Sequence, residues 1–337
     1  MMRLPAFEYL KPRTVADAVK YLKDRGPEAM LVAGGTDLFP NMKRRQFEPS
    51  ALVGLRSIRE LHGVRATNGG LTIGSGTTLT QVATHAEVAR RYPALATAAG
   101  LVSSPQLRNM GTLGGNVCVD TRCNYYNQTY DWRKAIGFCM KKDGDICLVA
   151  PSSPRCWAVS SSDTAPVLWA LGATARLAGP AGERTLPVAA LFKDDGIEYL
   201  AKRPDEILTE IALPPDEGWA SVYLKLRRRG SFDFPVLGVA VAVRREGDVV
   251  QEARIVLGAV ASQPREATAA AASLIGQRLT SDAITRAAEL AAGPSKPLDN
   301  TDFSHPYRKK VTRVYVARAL ARIAGLDSGP SSYEAGG

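Results

Sequence analysis

The sequence predicts an α+β protein of two or three compact domains, on three observations. The chain has 337 residues, 45% hydrophobic and 23% charged, so it can bury a sizeable core. Near the N-terminus an amphipathic helix stands between short apolar runs, the order of a small α/β unit. Near the C-terminus strand-like runs precede Ala-rich helical segments, the order of an α+β domain with a three-stranded antiparallel sheet.

Each element has its own signal. Residues 14–25 carry Val15, Ala18, Val19 and Leu22 at helical spacing, with Thr14 and Asp17 as a capping box and Gly26 as a stop. Apolar runs at 30–33 and 52–55 read as strands. From Leu71 the text LTIGSGTTLTQVATHAEVARRY passes from strand through a Gly-rich turn to helix. Residues 94–102 predict another helix, and 105–116 a loop rich in small residues. Residues 118–157 hold all five cysteines, Tyr125, Tyr126, Tyr130, Trp132 and Trp157, with no sustained period. A structureless stretch of that length inside a domain is more often functional than accidental. Regular structure resumes at Ser161, where SSDTAPVLWALGA predicts a capped helix feeding a strand at 174–177. A Pro-containing stretch at 211–216 marks a boundary. Strands follow at 223–226, 236–243 and 252–260, then helices at 266–275, 281–292 and 307–324, and residues 327–337 read as a flexible tail.

Composition narrows the function classes. An odd number of cysteines and no signal-like apolar stretch after Met1 argue for a reducing, cytoplasmic setting. The most apolar run, 236–243, is far short of the roughly 20 residues of a membrane span. The net charge of +10 invites a nucleic-acid partner. Lys and Arg are scattered, however, with only short clusters at 43–45, 227–229 and 308–310, and an anionic cofactor or acidic protein partner explains the excess as well.

Two segments suit an anion. LVAGGTDL (Leu31, Val32, Ala33, Gly34, Gly35, Thr36, Asp37, Leu38) sets two glycines after a strand, where backbone amides can approach phosphate oxygens. RNMGTLGGNV adds Gly111, Thr112, Leu113, Gly114, Gly115 and Asn116, so that two loops would grip both halves of a pyrophosphate, with Thr112 and Asn116 as donors. Neither matches the Rossmann or P-loop fingerprint. Cys123, Cys139, Cys147 and Cys156 fall inside the irregular segment without the close pairs usual for structural zinc; an iron-sulfur cluster, zinc and unliganded thiols all stay open on spacing. Cys118 reads as a small buried residue. His62, His85 and His305 are scattered, and no nucleophile elbow or carboxylate pair supports hydrolysis. Asp163 caps a helix on the plain reading or holds ribose hydroxyls on the functional one, and Lys225 with Arg227 to Arg229 reads as a solvated face or as a cation beside an electron acceptor.

With VAGGTDL, IGSGTTL, RNMGTLGGNV, SSDTAPVLWALGA and YLKLRRR in this order, the chain resembles the FAD-binding subunits of the xanthine dehydrogenase family of molybdenum hydroxylases, over about residues 7–324. The resemblance implies an FAD-binding fold: subdomain 1 at 1–60, subdomain 2 at 61–217, and a C-terminal three-stranded sheet with helices at 218–326. It also assigns Leu31 to Leu38, Val102, Thr112 to Asn116, Asp163, Leu208 and Lys225 to FAD. The insertion 118–157 departs from most of the family and is similar to that of the β subunit of 4-hydroxybenzoyl-CoA reductases. That likeness implies a [4Fe-4S] cluster on Cys123, Cys139, Cys147 and Cys156.

The resulting expectation is an FAD and [4Fe-4S] electron-transfer subunit that passes electrons from ferredoxin to molybdenum for reductive dehydroxylation of an aromatic acyl-CoA. It would work in a hetero-oligomer with a molybdopterin-containing large subunit and a small [2Fe-2S] subunit, without nucleic acid or membrane. Two alternatives remain: a flavin subunit of an oxidative hydroxylase of the xanthine or CO dehydrogenase kind, and an iron-sulfur or zinc regulator that binds nucleic acid.

Overall fold

The computed structural model describes residues 3–326; the predicted tail at 327–337 lies outside them. Its first layer is a three-stranded parallel sheet in the order Glu8–Leu10, Ala51–Gly54, Ala29–Val32. Helix Val15–Arg25 makes the crossover. Thr14 accepts the Asp17 N–H at its start, and Gly26, at φ +58°, ends it in a conformation that favours glycine. Its apolar stripe, Ala18, Val19 and Leu22, packs on Val53, Leu55 and Ile58 and also on Ala178 and Ile207 of the next sheet. The small unit is thereby fixed to the larger one.

The second sheet has five strands, all antiparallel, in the order Val64–Thr67, Gly70–Gly74, Ile207–Leu213, Thr174–Gly179, Gly182–Pro187. The predicted boundary at 211–216 therefore begins inside a central strand, and the chain leaves the sheet at Pro214. Helices Leu79–Thr84, Pro93–Gly100 and Thr164–Ala170 cover one face, with Leu71, Ile73, Ala175, Leu177 and Ile211 in the shared core. Residues 105–116, expected as loop, contain the short helix Pro105–Arg108 and the first turns of Leu113–Val117, each started by a side-chain cap, Ser104 and Thr112.

The third sheet is antiparallel: Trp219–Leu226, Leu237–Glu246 and Val249–Gly258, plus a two-residue edge strand, Arg265–Glu266. Alternation explains why Leu237–Glu246 is buried on both faces. Ala240 and Ala242 meet the middle domain, and Val239, Val241 and Val243 meet helices Ser281–Ala291 and His305–Ala324. Small residues face the close domain contact and branched ones the helices. Arg308, in the third basic cluster, is fully buried and donates to the carbonyls of Val236 and Leu298, so that part of the charge is structural.

Residues 118–157 keep their irregular texture. They hold one short helix, Tyr130–Ala135, capped by Thr129, and otherwise turns and isolated bridges. Their own small core consists of Cys123, Tyr126, Cys139, Cys156 and Ala158. Among the described residues no helix is long and apolar enough to cross a membrane.

Candidate functional site

The three units meet at a cleft of about 460 Å³, a size usual for small-molecule sites. Leu31 to Leu38 line it along one side. Val102, Thr112, Gly114, Gly115, Asn116 and Leu208 line the rest. Leu113, Asp163 and Lys225 do not reach it: Leu113 is fully buried, and the other two form a buried pair behind the wall.

The two glycine loops touch each other. A Cβ on Gly34 would stand 2.0 Å from the Met110 carbonyl oxygen, so only glycine lets the first loop rest on the start of the second. Gly35, at φ +70°, turns the chain beneath the Phe39 ring. Among the described residues, the N–H groups of Gly34, Gly35, Thr36 and Asp37 have no hydrogen-bond acceptor within the chain. Consecutive free amides at the end of a strand form an anion cradle. The second loop differs from the expectation. Leu113 donates to Thr77 O, Gly114 to Ser75 O, Gly115 to Thr112 Oγ1 and Asn116 to Thr112 O, at 2.8–3.0 Å. Its amides are committed to the fold, and a Cβ on Gly114 would meet Ser75 rather than a ligand, 2.6 Å from Ser75 Cβ.

Asn116 is likewise occupied: its Oδ1 accepts from Ser162 Oγ at 2.9 Å and from Thr164 Oγ1 at 2.7 Å. Between those two residues, Asp163 makes no helix-capping bond, contrary to the plain expectation. It accepts from Tyr223 OH at 2.8 Å and from Lys225 Nζ at 2.9 Å, and Lys225 donates also to Leu101 O. Burial raises the Asp163 carboxyl pKa and lowers that of the Lys225 ammonium, while their mutual attraction opposes both shifts. Lys225 is therefore no solvated face.

Ser75, Gly76, Gly111, Asp120, Tyr199, Lys202 and Phe234 also line the cleft. The IGSGTTL turn signalled the first two, whereas Tyr199, Lys202 and Phe234 come from distant loops that carry no motif. Cys118, expected as a small buried residue, is half-buried on the cleft wall, and burial pushes its thiol up to about 11. The cradle of free amides, the close-packed glycines and the concave apolar walls fit a dinucleotide such as FAD.

The four remaining cysteines line a second, much smaller cavity of about 10 Å³ with Tyr125, Tyr126, Met140, Lys141, Leu148 and Val149. All four are 4–7% exposed, and none forms a disulfide. Burial pushes the Cys123 thiol up to about 12 and that of Cys156 to about 11, the latter drawn back by the Ala158 N–H and the Lys141 ammonium. Among the described residues no group of three or more His, Cys, Asp or Glu is placed to hold a metal ion. Four thiols around one cavity are the donor type that iron-sulfur clusters and zinc both take.

The start of the segment, Cys118 to Asp120, itself lines the cleft, and charged side chains tie the rest of the segment to it. Arg122 pairs with Asp37 of the first glycine loop and lies 4.5 Å over the Phe234 ring; burial lowers its pKa to about 10. Lys141 pairs with Asp120 at 2.7 Å.

Comparison with known proteins agrees with this geometry. Residues 5–216 match the FAD binding domain in molybdopterin dehydrogenase, and residues 221–323 match the CO dehydrogenase flavoprotein C-terminal domain. The carbon monoxide dehydrogenase medium chain of Afipia carboxidovorans is 31% identical over 94% of this chain and 96% of its own length. The aldehyde oxidoreductase FAD-binding subunit PaoB of Escherichia coli is 33% identical over 80% of this chain and 86% of its own. The reconstituted CO dehydrogenase from Oligotropha carboxidovorans superposes with a TM-score of 0.80 at 29% identity, over 97% of this chain and all of that one. With a cleft suited to a dinucleotide and family matches over both halves, the chain belongs to the FAD-binding subunits of the xanthine and CO dehydrogenase family of molybdenum hydroxylases.

Proposed function

We propose that this chain is the electron-transfer subunit of a molybdenum hydroxylase and holds a [4Fe-4S] cluster, bound by Cys123, Cys139, Cys147 and Cys156, in addition to FAD. The observation that carries the cluster is the convergence of four buried, unbridged thiols from a single insertion on one cavity beside the flavin cleft. For FAD, we assign Leu31 to Leu38, Val102, Thr112, Gly114, Gly115, Asn116 and Leu208 to the bound cofactor, with the N–H groups of Gly34 to Asp37 on its phosphates. Leu113, Asp163 and Lys225 support that wall from behind. Bound flavin supplies a group that exchanges electrons singly or in pairs. The chain's own work is to hold its phosphates, exclude water from the cleft and keep the insertion against the wall through Arg122 and Lys141.

A subunit without a molybdenum site needs partners: a large molybdopterin subunit and a small [2Fe-2S] subunit, in a hetero-oligomer. Two directions of electron flow have support. Relatives named as carbon monoxide dehydrogenase, aldehyde oxidoreductase and xanthine dehydrogenase favour an oxidative hydroxylase, the better supported reading. The thiol-bearing insertion favours reductive dehydroxylation of 4-hydroxybenzoyl-CoA to benzoyl-CoA, with ferredoxin as donor.

Anaerobic purification tests the cofactors. One FAD with about four iron and four sulfide per chain is expected. Cys118→Ser should keep the iron and Cys139→Ala should lose it; the reverse pattern overturns the ligand set. Assays of the assembled complex separate the directions. Turnover of an aldehyde or purine with a dye as acceptor supports the oxidative reading, and hydroxybenzoyl-CoA reduction by reduced ferredoxin supports the other.

A further inference from the structure

Lys141 reaches from the thiol cavity to Asp120, a residue of the flavin cleft. It stands two residues after Cys139 and lines the cavity with all four cysteines. Its side chain is 6% exposed, and its ammonium donates to Asp120 Oδ1 at 2.7 Å, Thr121 Oγ1 at 2.7 Å and Gly196 O at 2.5 Å, which uses all three of its protons. The rings of Tyr126, in the thiol cavity, and Tyr199, in the flavin cleft, lie 4.8 and 5.6 Å from it. Asp120 lines the cleft.

Burying this pair costs several kcal/mol per ion in desolvation, so stability is a weak reason for it. Its position gives a better one. A fixed positive charge in a low-dielectric wall acts strongly on any neighbouring group that gains an electron, because the reduced form carries one more negative charge. We propose that Lys141, held by Asp120, is a positioning residue that raises the reduction potential of the thiolate-bound group and so brings it toward that of the flavin across the wall. The inference rests on the reading that the four thiols hold a cluster. Asp120 moderates the effect, since its carboxylate opposes the ammonium charge. Removing either partner therefore has opposite consequences, which a purely mechanical brace would not produce.

The test is a redox titration of the full chain, purified anaerobically, with the cluster followed by electron paramagnetic resonance. In Lys141→Gln the reduced-to-oxidised ratio at a fixed potential should fall about tenfold, a shift of about 59 mV for one electron. Lys141→Arg should stay near wild type, and Asp120→Asn should move the ratio upward. Shifts of Lys141→Gln and Asp120→Asn in the same direction, or a Lys141→Gln ratio within about twofold of wild type, overturn the inference while leaving the cluster in place. If Lys141→Gln does not fold, Asp120→Asn decides alone: an upward shift supports the inference and an unmoved potential overturns it. A wild-type chain free of iron and sulfide overturns the cluster reading itself.

Discussion

The loop at Gly34 and Gly35 and the loop at Gly114 and Gly115 both set paired glycines against one cleft, yet they use their backbone amides in opposite ways. The first leaves the N–H groups of Gly34 to Asp37 without a partner in the chain, whereas the second commits those of Leu113 to Asn116 to Thr77, Ser75 and Thr112. Glycine serves a different purpose in each. At Gly34 it allows loop-to-loop contact under a row of free donors, and at Gly114 it allows a turn to pack on the Ser75 strand end. A glycine-rich motif thus reports close approach, and only the hydrogen-bond accounting says whether a ligand or the protein is what comes close.

The largest effect should come from the support behind the second loop. Lys225→Met leaves the Asp163 carboxylate buried with Tyr223 as its hydrogen-bond donor and no paired ammonium, and breaking such a pair costs about 3–5 kcal/mol. Urea unfolding should show that loss, and flavin content should fall only in proportion to folded protein. Full stability with selective loss of flavin would mean that Lys225 touches the cofactor and that the second loop is more than a brace.

Next is the contact between the loops. Gly34→Ala sets a methyl group against the Met110 carbonyl, an overpacking worth about 1–3 kcal/mol, and should release FAD beyond what the stability loss explains. Flavin absorbance after gel filtration, compared with the melting temperature, measures both. Retention of full flavin would remove the first loop from the phosphate site.

The cleft's strand side supplies a control that touches neither loop. The Arg184 guanidinium, helped by the Arg203 N–H, holds the Glu206 carboxyl down to about 2 from its ordinary 4.5. A lowered folded pKa contributes stability that is present above about 4.5 and is lost as pH falls toward about 2. Because Arg184 is partly exposed, about 1–3 kcal/mol is expected. Acid unfolding of Glu206→Gln against wild type should show this difference at pH 6 and none near pH 2; equal curves throughout would discount the ion pair.

Much of this was legible in the sequence. Helical spacing and a cap marked Val15–Arg25, an Ala-rich run marked Ser281–Ala291, and the ordered motifs marked the cleft. Strand Gly182–Pro187 escaped because its exposed, polar pattern gives no apolar run, and the helix at Leu113–Val117 escaped because two glycines conceal it. Tyr199, Lys202 and Phe234 reach the cleft only through tertiary folding. Burial is hidden in the same way: nothing in the sequence tells the paired, buried charges of Asp163 and Lys225 from charges in water.

The smallest effect is the most discriminating. Thr112 Oγ1 accepts the Gly115 N–H at 3.0 Å, a cap worth about 1 kcal/mol, and Gly115 is exposed on the cleft, so Thr112→Ala frees one donor on the surface that a phosphate would meet if the second loop took part in binding. If that loop is only a brace, stability should fall by about 1 kcal/mol and FAD affinity should weaken slightly or stay unchanged. If the loop also holds phosphate, the newly freed Gly115 amide offers it another hydrogen bond, and affinity should rise even as the free chain becomes less stable. Isothermal titration with FAD beside thermal unfolding separates the two, because in the first case both quantities move down together or only stability moves, whereas in the second they move in opposite directions.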